Sequence, residues 1–181
     1  MSATLEQTLI EKCRNGETSA FGTLIKIYRK QLFSYLLRLS GNREDAEDLF
    51  QETLIKSWKG IKKYSEQQKF SSWLFTIAHN TAMDKLRKRN KENVITEKEP
   101  DELSHASDPH KELIGKEIKN KIQKAVEALP FKQKEVFLLR INSGMSFKEI
   151  AQTTNEPLNT VLSHMHYSVK KIKRLLRSEN D

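Results

Sequence analysis

Apolar residues recur at intervals of three and four along most of this chain, which is the spacing that keeps them on one face of a helix. The pattern predicts helices over 5–14, 18–39, 43–60, 70–90, 112–128, 131–142, 147–153 and 159–177. No stretch alternates apolar and polar positions in Val/Ile/Thr-rich runs, and 181 residues hold only six glycines, so sheet is excluded and the class is all-α. Asn42 suits the N-cap of the third helix, with Glu44, Asp45 and Glu47 placed where a helix dipole favours negative charge. Pro130 and Gly144 punctuate the later elements. In the last helix Val161, Met165, Val169, Ile172 and Leu176 step by four, four, three and four, forming one buried stripe. Thr160, His164, Tyr167, Lys171 and Arg174 form a second stripe, expected on the opposite face.

The periodicity fails between Glu92 and Lys111, where the run NVITEKEPDELSHASDPHK holds two of the four prolines and few large apolar residues. The expected architecture is therefore two small helical domains, 1–91 and 118–181, joined by a flexible acidic linker over 92–117. Charge follows the same division. Residues 1–91 carry 17 basic and 10 acidic side chains, net +7; residues 92–117 carry 3 and 8, net −5; residues 118–181 carry 12 and 6, net +6. The total of +8 suggests a polyanionic partner, with nucleic acid as the first candidate. No apolar run reaches the roughly 18 residues of a membrane span, and no export signal opens the chain, so the expected compartment is the cytoplasm. The single cysteine, Cys13, excludes an internal disulfide and multi-thiolate zinc sites. His164 and His166 lie two apart on different helix faces and are poor joint metal ligands, and His79 among core-like residues reads as a structural histidine. No phosphate-binding loop, catalytic carboxylate pair or nucleophile–base signature is present, so neither a cofactor nor an enzymatic activity is expected.

Three segments carry candidate chemistry. From Leu129 to Leu176 a helix, a Ser143–Gly144 turn, a short helix, a turn at Thr154–Pro157 and a long helix capped by Asn159 or Thr160 compose a helix-turn-helix. The second helix of such a motif can lie in the DNA major groove. In DAEDLFQETLIKSW, Asp48 and Glu52 share a face, with Glu44 a turn earlier. They are either solvated surface or the complement of a cationic protein. In FSSWLFTIAHNTAMDKLRKRN, Trp73, Asn80, Asp84, Arg87 and Lys91 share a stripe, while Phe70, Leu74, Ile77 and Ala78 face inward. An aromatic group followed by amide and basic groups suits unpaired nucleic acid, although a core Trp73 and a solvated basic helix end fit the same spacing.

These segments, in this order, resemble bacterial sigma factors of the extracytoplasmic-function class, in the RNA polymerase sigma-70 family. DAEDLFQETLIKSW, FSSWLFTIAHNTAMDKLRKR and LPFKQKEVFLLRINSGMSFKEIA carry the resemblance, which spans about Ala20 to Leu176. It implies a promoter-recognition subunit of RNA polymerase, with sigma domain two before the linker and sigma domain four after it. In such factors the acidic-aromatic helix docks on the polymerase clamp, here through Asp45, Asp48, Gln51, Glu52 and Trp58. The loop and helix from Tyr64 to Arg89 would open the minus-ten element, with Tyr64, Phe70, Trp73, Asn80, Asp84, Arg87 and Lys88 as contacts. The last helix would read the minus-thirty-five element through Asn159, Thr160, Ser163, His164, Tyr167, Lys170 and Lys171. Implied partners are the core polymerase at its clamp and flap, promoter DNA and an anti-sigma factor, with no membrane insertion. The linker of such factors threads toward the polymerase active-site channel, and a net −5 suits a path that otherwise holds nucleic acid.

One departure stands out. The family commonly opens its recognition helix with Gly-Thr-Val-Lys-Ser-Arg and adds an arginine a turn later; this chain has Leu162, His164 and Tyr167 at three of the cationic places. An arginine pairing with guanine contributes about 1–3 kcal/mol of discrimination, so weak or relaxed minus-thirty-five reading is expected. Either a different motif is read, or a further DNA-bound protein positions the holoenzyme. A stand-alone helix-turn-helix regulator is the alternative function, and an adaptor for acidic proteins a third.

Overall fold

The computed structural model describes residues 3–65, 69–96 and 113–178. These residues form eight α-helices and one 3-10 turn, and no strand occurs among them. The chain divides into two compact units, Met1–Leu103 and Ser104–Asp181.

The N-terminal unit contains α1 (Ala3–Arg14), α2 (Thr18–Ser40), α3 (Arg43–Gly60), the 3-10 turn Ile61–Lys63 and α4 (Phe70–Thr96). The α2–α3 junction shows how local chemistry sets direction. Gly41 takes a left-handed φ of 85°, which a side chain would strain, and its N–H closes α2 on the Leu37 carbonyl. The Asn42 side chain then accepts from the Asp45 N–H at 2.8 Å and starts α3. Helix α2 packs on α1, α3 and α4, and α4 also packs on α3. Leu24, Leu32, Tyr35, Leu36, Leu49, Leu74, Phe75 and Ala78 fill the space between them. Thr53 and Ser57 are buried on α3 but bond to the carbonyls one turn back, so no polar group is stranded there. His79 is buried in the same core, its Nδ1 3.1 Å from the Tyr35 hydroxyl. Cys13 is buried as well, and burial foremost raises its thiol pKa and keeps it protonated.

The C-terminal unit contains α5 (Leu113–Glu127), α6 (Phe131–Ser143), α7 (Phe147–Thr154) and α8 (Leu158–Ser178). Helix α8 packs against the other three. Between α6 and α7 Gly144 has φ 69°, and a reciprocal capping box follows. Ser146 Oγ accepts from the Glu149 N–H at 3.2 Å, while Glu149 Oε2 accepts from the Ser146 N–H at 2.7 Å. Arg140 donates to the Met145 carbonyl and lies 5.0 Å over the Phe147 ring, so α6 itself fastens the turn. Asn155 provides the second turn at φ 55°, a conformation asparagine tolerates better than most residues. This is helix-turn-helix grammar, and Val136, Leu138, Leu139, Met145, Ile150 and Val161 form the core beneath it.

The eight helices expected from spacing are all present, most within two residues of the expected ends. The 3-10 turn at Ile61–Lys63 was not anticipated. Helix α4 runs to Thr96, past the expected start of the linker at 92, and most of that linker, 97–112, lies outside the described residues. No helix among the described residues is long and apolar enough to cross a membrane.

Candidate protein- and nucleic-acid-binding surfaces

The outer face of α3 separates the acidic residues expected to act together. Asp45 is only 22% exposed and is enclosed by cations from α4, with Lys85 Nζ at 2.6 Å and Arg89 Nη1 at 3.4 Å. The Asn42 amide adds a donor at 2.7 Å. Burial pushes the Asp45 carboxyl up, but the hydrogen bonds from Lys85 and Asn42 and the two cations outweigh it, so its pKa lies below the ordinary value. For Lys85 burial pulls the other way and the two aspartates prevail, raising its pKa. Asp45 thus clamps α3 to α4. Asp48 touches the same Lys85 at 3.2 Å yet stays 69% exposed, and Glu52, 52% exposed, pairs along its own helix with Lys56 at 2.8 Å. Gln51 is exposed beside them. Trp58 is half-buried, its ring 5.2 Å from Phe21. Asp45 and Trp58 therefore serve the unit's own packing, and the outward-facing set is Asp48, Gln51 and Glu52. Ile55 joins them at 55% exposure. Spacing alone missed it, because an aliphatic residue on a helix reads as core until its partners are seen to be absent.

The second surface begins at the loop after α3. Tyr64, Phe70 and Trp73 meet in tilted and edge-to-face contacts at centroid distances of 5.3–5.6 Å, and Tyr28 lies 5.6 Å from Phe70. Phe70 is fully buried and Tyr64 nearly so. Both were expected to contact the minus-ten strand, and in this structure their rings are enclosed by protein. They are the floor on which Trp73 rests. Arg14 holds the Tyr64 carbonyl at 2.6 Å and sits 5.8 Å over its ring, fixing this corner from α1. Trp73 remains half-exposed and lies flat on Gly60, where a Cβ would come 3.2 Å from Trp73 Cζ2. Farther along α4, Asn80, Asp84, Arg87 and Lys88 are exposed on the face that Trp73 begins. Glu52 and Lys56 of α3 join Asp84, Arg87 and Lys88 around a cleft of 270 Å³. The side chain of Lys91 lies outside the described residues.

The third surface is α8, and its faces differ from the expected ones. The buried centre is Val161, Ser168 and Ile172. At about 100° per residue, His164 and Lys171 lie only a quarter turn or less from that centre. Both accordingly turn back on their own unit. Lys171 Nζ donates to the Ala128 carbonyl at 2.7 Å, and His164 Nε2 lies 3.4 Å from Glu156 Oε2. Glu156 also meets Lys132 at 3.0 Å, and Lys132 reaches the buried Glu135 at 3.2 Å. His164 and Lys171, expected to face DNA, thus make contacts within their own unit. Thr160 is half-buried on the same flank. The outward face carries Asn159, Ser163, Tyr167 and Lys170, as expected, together with Leu162 and His166, which were not among the expected contacts.

Comparison with known proteins places both units in one family. A family model of sigma-70 region 2 matches residues 24–92, and one of sigma-70 region 4 matches residues 119–172. The chain belongs to the sigma-70 family, in its extracytoplasmic-function class. It is 28% identical over 177 residues to the ECF RNA polymerase sigma factor SigW of Bacillus subtilis, covering 93% of this chain and 95% of the relative. It is 29% identical over 169 residues to the ECF RNA polymerase sigma-E factor of Haemophilus influenzae, covering 88% and 89%. Among solved structures, the sigma factor RpoE of Bartonella quintana, in complex with the anti-sigma factor NepR, shares the fold with a TM-score of 0.73 at 24% identity over 87% of this chain and 96% of that one. CnrH, solved with the cytosolic domain of CnrY, gives 0.66 at 19% identity over 96% and 98%. The region 2 match explains the N-terminal unit, which a stand-alone helix-turn-helix regulator leaves without a purpose. This sigma factor is a transcription initiation factor. No group of three or more potential metal-ligating side chains is found among the described residues.

Proposed function

We propose that this sigma factor binds core RNA polymerase through the outward face of α3, melts the minus-ten element over α4 and places α8 in the major groove at the minus-thirty-five element. One observation carries the reading: a single chain joins a region 2 unit with an exposed acid-and-isoleucine helix face to a region 4 unit with an exposed helix-turn-helix. On α3 the clamp contacts are Asp48, Gln51 and Glu52, with Ile55 contributing apolar area at their centre. Asp45 and Trp58 hold that face in place. On α4 Trp73 offers a ring to an unstacked base, Asn80 and Asp84 offer polar edges, and Arg87 and Lys88 meet phosphate. Extruding a base costs a few kcal/mol, which stacking and cations can offset. Tyr64 and Phe70 support Trp73 from below. On α8 the sequence-reading positions are Asn159, Ser163 and Tyr167, with Lys170 on phosphate, while Thr160, His164 and Lys171 set the helix angle. The two units correspond to the division of labour expected for 1–91 and 118–181, with the C-terminal unit also meeting the polymerase flap. An anti-sigma factor would act by covering these faces, a partner suggested by the complex of RpoE of Bartonella quintana with the anti-sigma factor NepR, and the work takes place in the cytoplasm.

The test is transcription in vitro from a pool of genomic fragments, with core polymerase and with or without this chain. Specific initiation that depends on the chain is the expected result. Core binding without initiation indicates that a further DNA-bound protein positions the holoenzyme. Absence of core binding overturns the proposal.

A further inference from the structure

The first three turns of α8 present an unusual outward face for a helix that reads DNA. From Leu158 to Val169 there is no lysine or arginine. The one histidine of that stretch that could stand in for the usual arginine, His164, is turned onto Glu156. The exposed residues are Leu158, Asn159, Leu162, Ser163, His166 and Tyr167, with Leu158 44% and Leu162 41% exposed on one flank of the face and Tyr167 54% on the other. Cations resume only at Lys170 and continue through Lys173, Arg174 and Arg177, all exposed. A recognition helix inserts its N-terminal residues among base edges and leaves later turns near the backbone. Its phosphate-binding charge is therefore present, but its base-facing half cannot make the bidentate arginine or lysine contact that selects guanine.

What that half offers is apolar surface, one amide, the Ser163 hydroxyl and the His166 imidazole. The apolar feature of the major groove is the thymine 5-methyl group, and an asparagine amide matches the paired donor and acceptor of adenine. A water-exposed leucine side chain and tyrosine ring flanking a polar centre, followed by a run of cations, complement a duplex rich in A·T pairs better than a protein partner, whose surface would have to be acidic next to an apolar groove. We infer that α8 selects A·T pairs at the minus-thirty-five position by packing Leu162 and Tyr167 against thymine methyl groups, with Asn159 on an adenine. This rests on the sigma-factor reading above and gives its weakened guanine contact a positive replacement.

The experiment uses holoenzyme reconstituted from the full chain and core polymerase. Duplexes randomised at the minus-thirty-five position are selected for binding. Each thymine of the selected sequence is then replaced by deoxyuridine, which removes only the methyl group. A control template with a pre-opened minus-ten bubble reports initiation that needs no minus-thirty-five contact. The expected result is enrichment of A·T pairs and a loss of about fourfold in affinity for each contacted methyl, the equivalent of one buried CH₂. In Leu162→Ala or Tyr167→Ala holoenzyme the penalty at one thymine should disappear while the others remain. Both side chains are exposed, so helicity by circular dichroism should be unchanged. Enrichment of G·C pairs, deoxyuridine without effect at every position, or penalties that persist in both variants each overturn the inference. If these occur while the bubble template still initiates, the sigma reading stands and Leu162 and Tyr167 belong to a protein contact. If the bubble template is silent and core is not bound, both readings fall together.

Discussion

The outward face of α3 and α4 is already charge-matched within the protein, whereas the outward face of α8 is not. On the first, Asp45, Asp48 and Glu52 meet Lys85, Arg89 and Lys56, and Arg87 lies 3.9 Å from Asp84. On the second, Lys170, Lys173 and Arg174 are exposed, and no ion pair engages them among the described residues. The paired charges of the first face are not equivalent. Asp45 is largely enclosed and its ion pairs join two helices, so a partner that claimed it would have to unfasten the unit. Asp48 and Glu52 are exposed in pairs of the kind worth about 0–1 kcal/mol each. A cationic partner can therefore exchange those pairs for its own at small cost. The α8 face has nothing to exchange, and its affinity for a polyanion should come largely from counterion release.

The largest expected effect breaks the first face. Asp48→Lys combined with Glu52→Lys should weaken core-polymerase binding by about 100-fold or more, because like charges set against a complementary patch cost several kcal/mol. The measurement is a binding titration with labelled core, with circular dichroism to show that α3 persists. Both residues are exposed and neither carries the α3–α4 clamp alone, so the fold should survive. Wild-type affinity in the double variant would remove α3 from the polymerase interface.

Why spacing served the first face better than the third follows from the same comparison. Helix periodicity locates a buried stripe to within about a quarter turn. That is enough to recognise α3, where Asp48, Gln51 and Glu52 sit near the middle of the exposed arc. It is not enough for α8. There the apolar residues Met165, Val169 and Leu176 are only partly buried, while Ser168, which the sequence offers as a polar residue, lies at the buried centre and bonds to the Gln133 and His164 carbonyls. Taking the apolar residues as the centre rotates the helix, and His164 and Lys171 then move from the rim to the presumed DNA side. Tyr64 and Phe70 show a different failure. Their place in a promoter-opening segment is a property of the segment, whereas their burial depends on Tyr28 and Arg14 from distant helices. Capping and turn chemistry was legible at Asn42 and Gly144, which act on neighbours a few residues away, but the expected cap at Asn159 or Thr160 falls inside α8, which starts at Leu158 directly after Pro157, and the Ser146–Glu149 capping box was not foreseen.

A second variant tests whether the C-terminal unit owes its recognition-helix angle to ion pairing at its inner rim. Lys132 joins the buried Glu135 of α6 to Glu156, which leads into α8. Lys132→Ala removes the hydrogen-bonded cation nearest the Glu135 carboxylate. A charged hydrogen bond lost from a buried group costs about 1–3 kcal/mol, and the low end applies because Lys132 is about half exposed. The two tryptophans, Trp58 and Trp73, both belong to the N-terminal unit. In the full chain the variant should therefore lower the thermal transition seen by far-ultraviolet circular dichroism while leaving the tryptophan fluorescence transition in place. Loss of the fluorescence transition instead would mean that the two units do not unfold separately.

The smallest effect separates the two faces by pH, through carboxylates shifted in opposite directions. Asp45 lies below its ordinary value of 3.8, so the stability it contributes is complete above that pH and is lost as the pH falls through its folded value. Glu135 lies above its ordinary value of 4.5, chiefly because burial disfavours its charged form and only in part because Glu156 is near, with Lys132 and His164 opposing. On acidification the folded C-terminal unit takes up this proton before the unfolded chain does. Glu135 therefore penalises the folded state fully above its folded pKa, and the penalty fades as the pH falls from there toward 4.5. As the pH falls from neutrality toward 4.5 this group should raise the C-terminal transition, while Asp45 leaves the N-terminal one unchanged. Glu135→Gln should abolish that component, and Asp45→Asn should flatten only the loss of tryptophan-monitored stability below pH 3.8. An unaltered response to acidification toward pH 4.5 in Glu135→Gln would place the titrating group elsewhere.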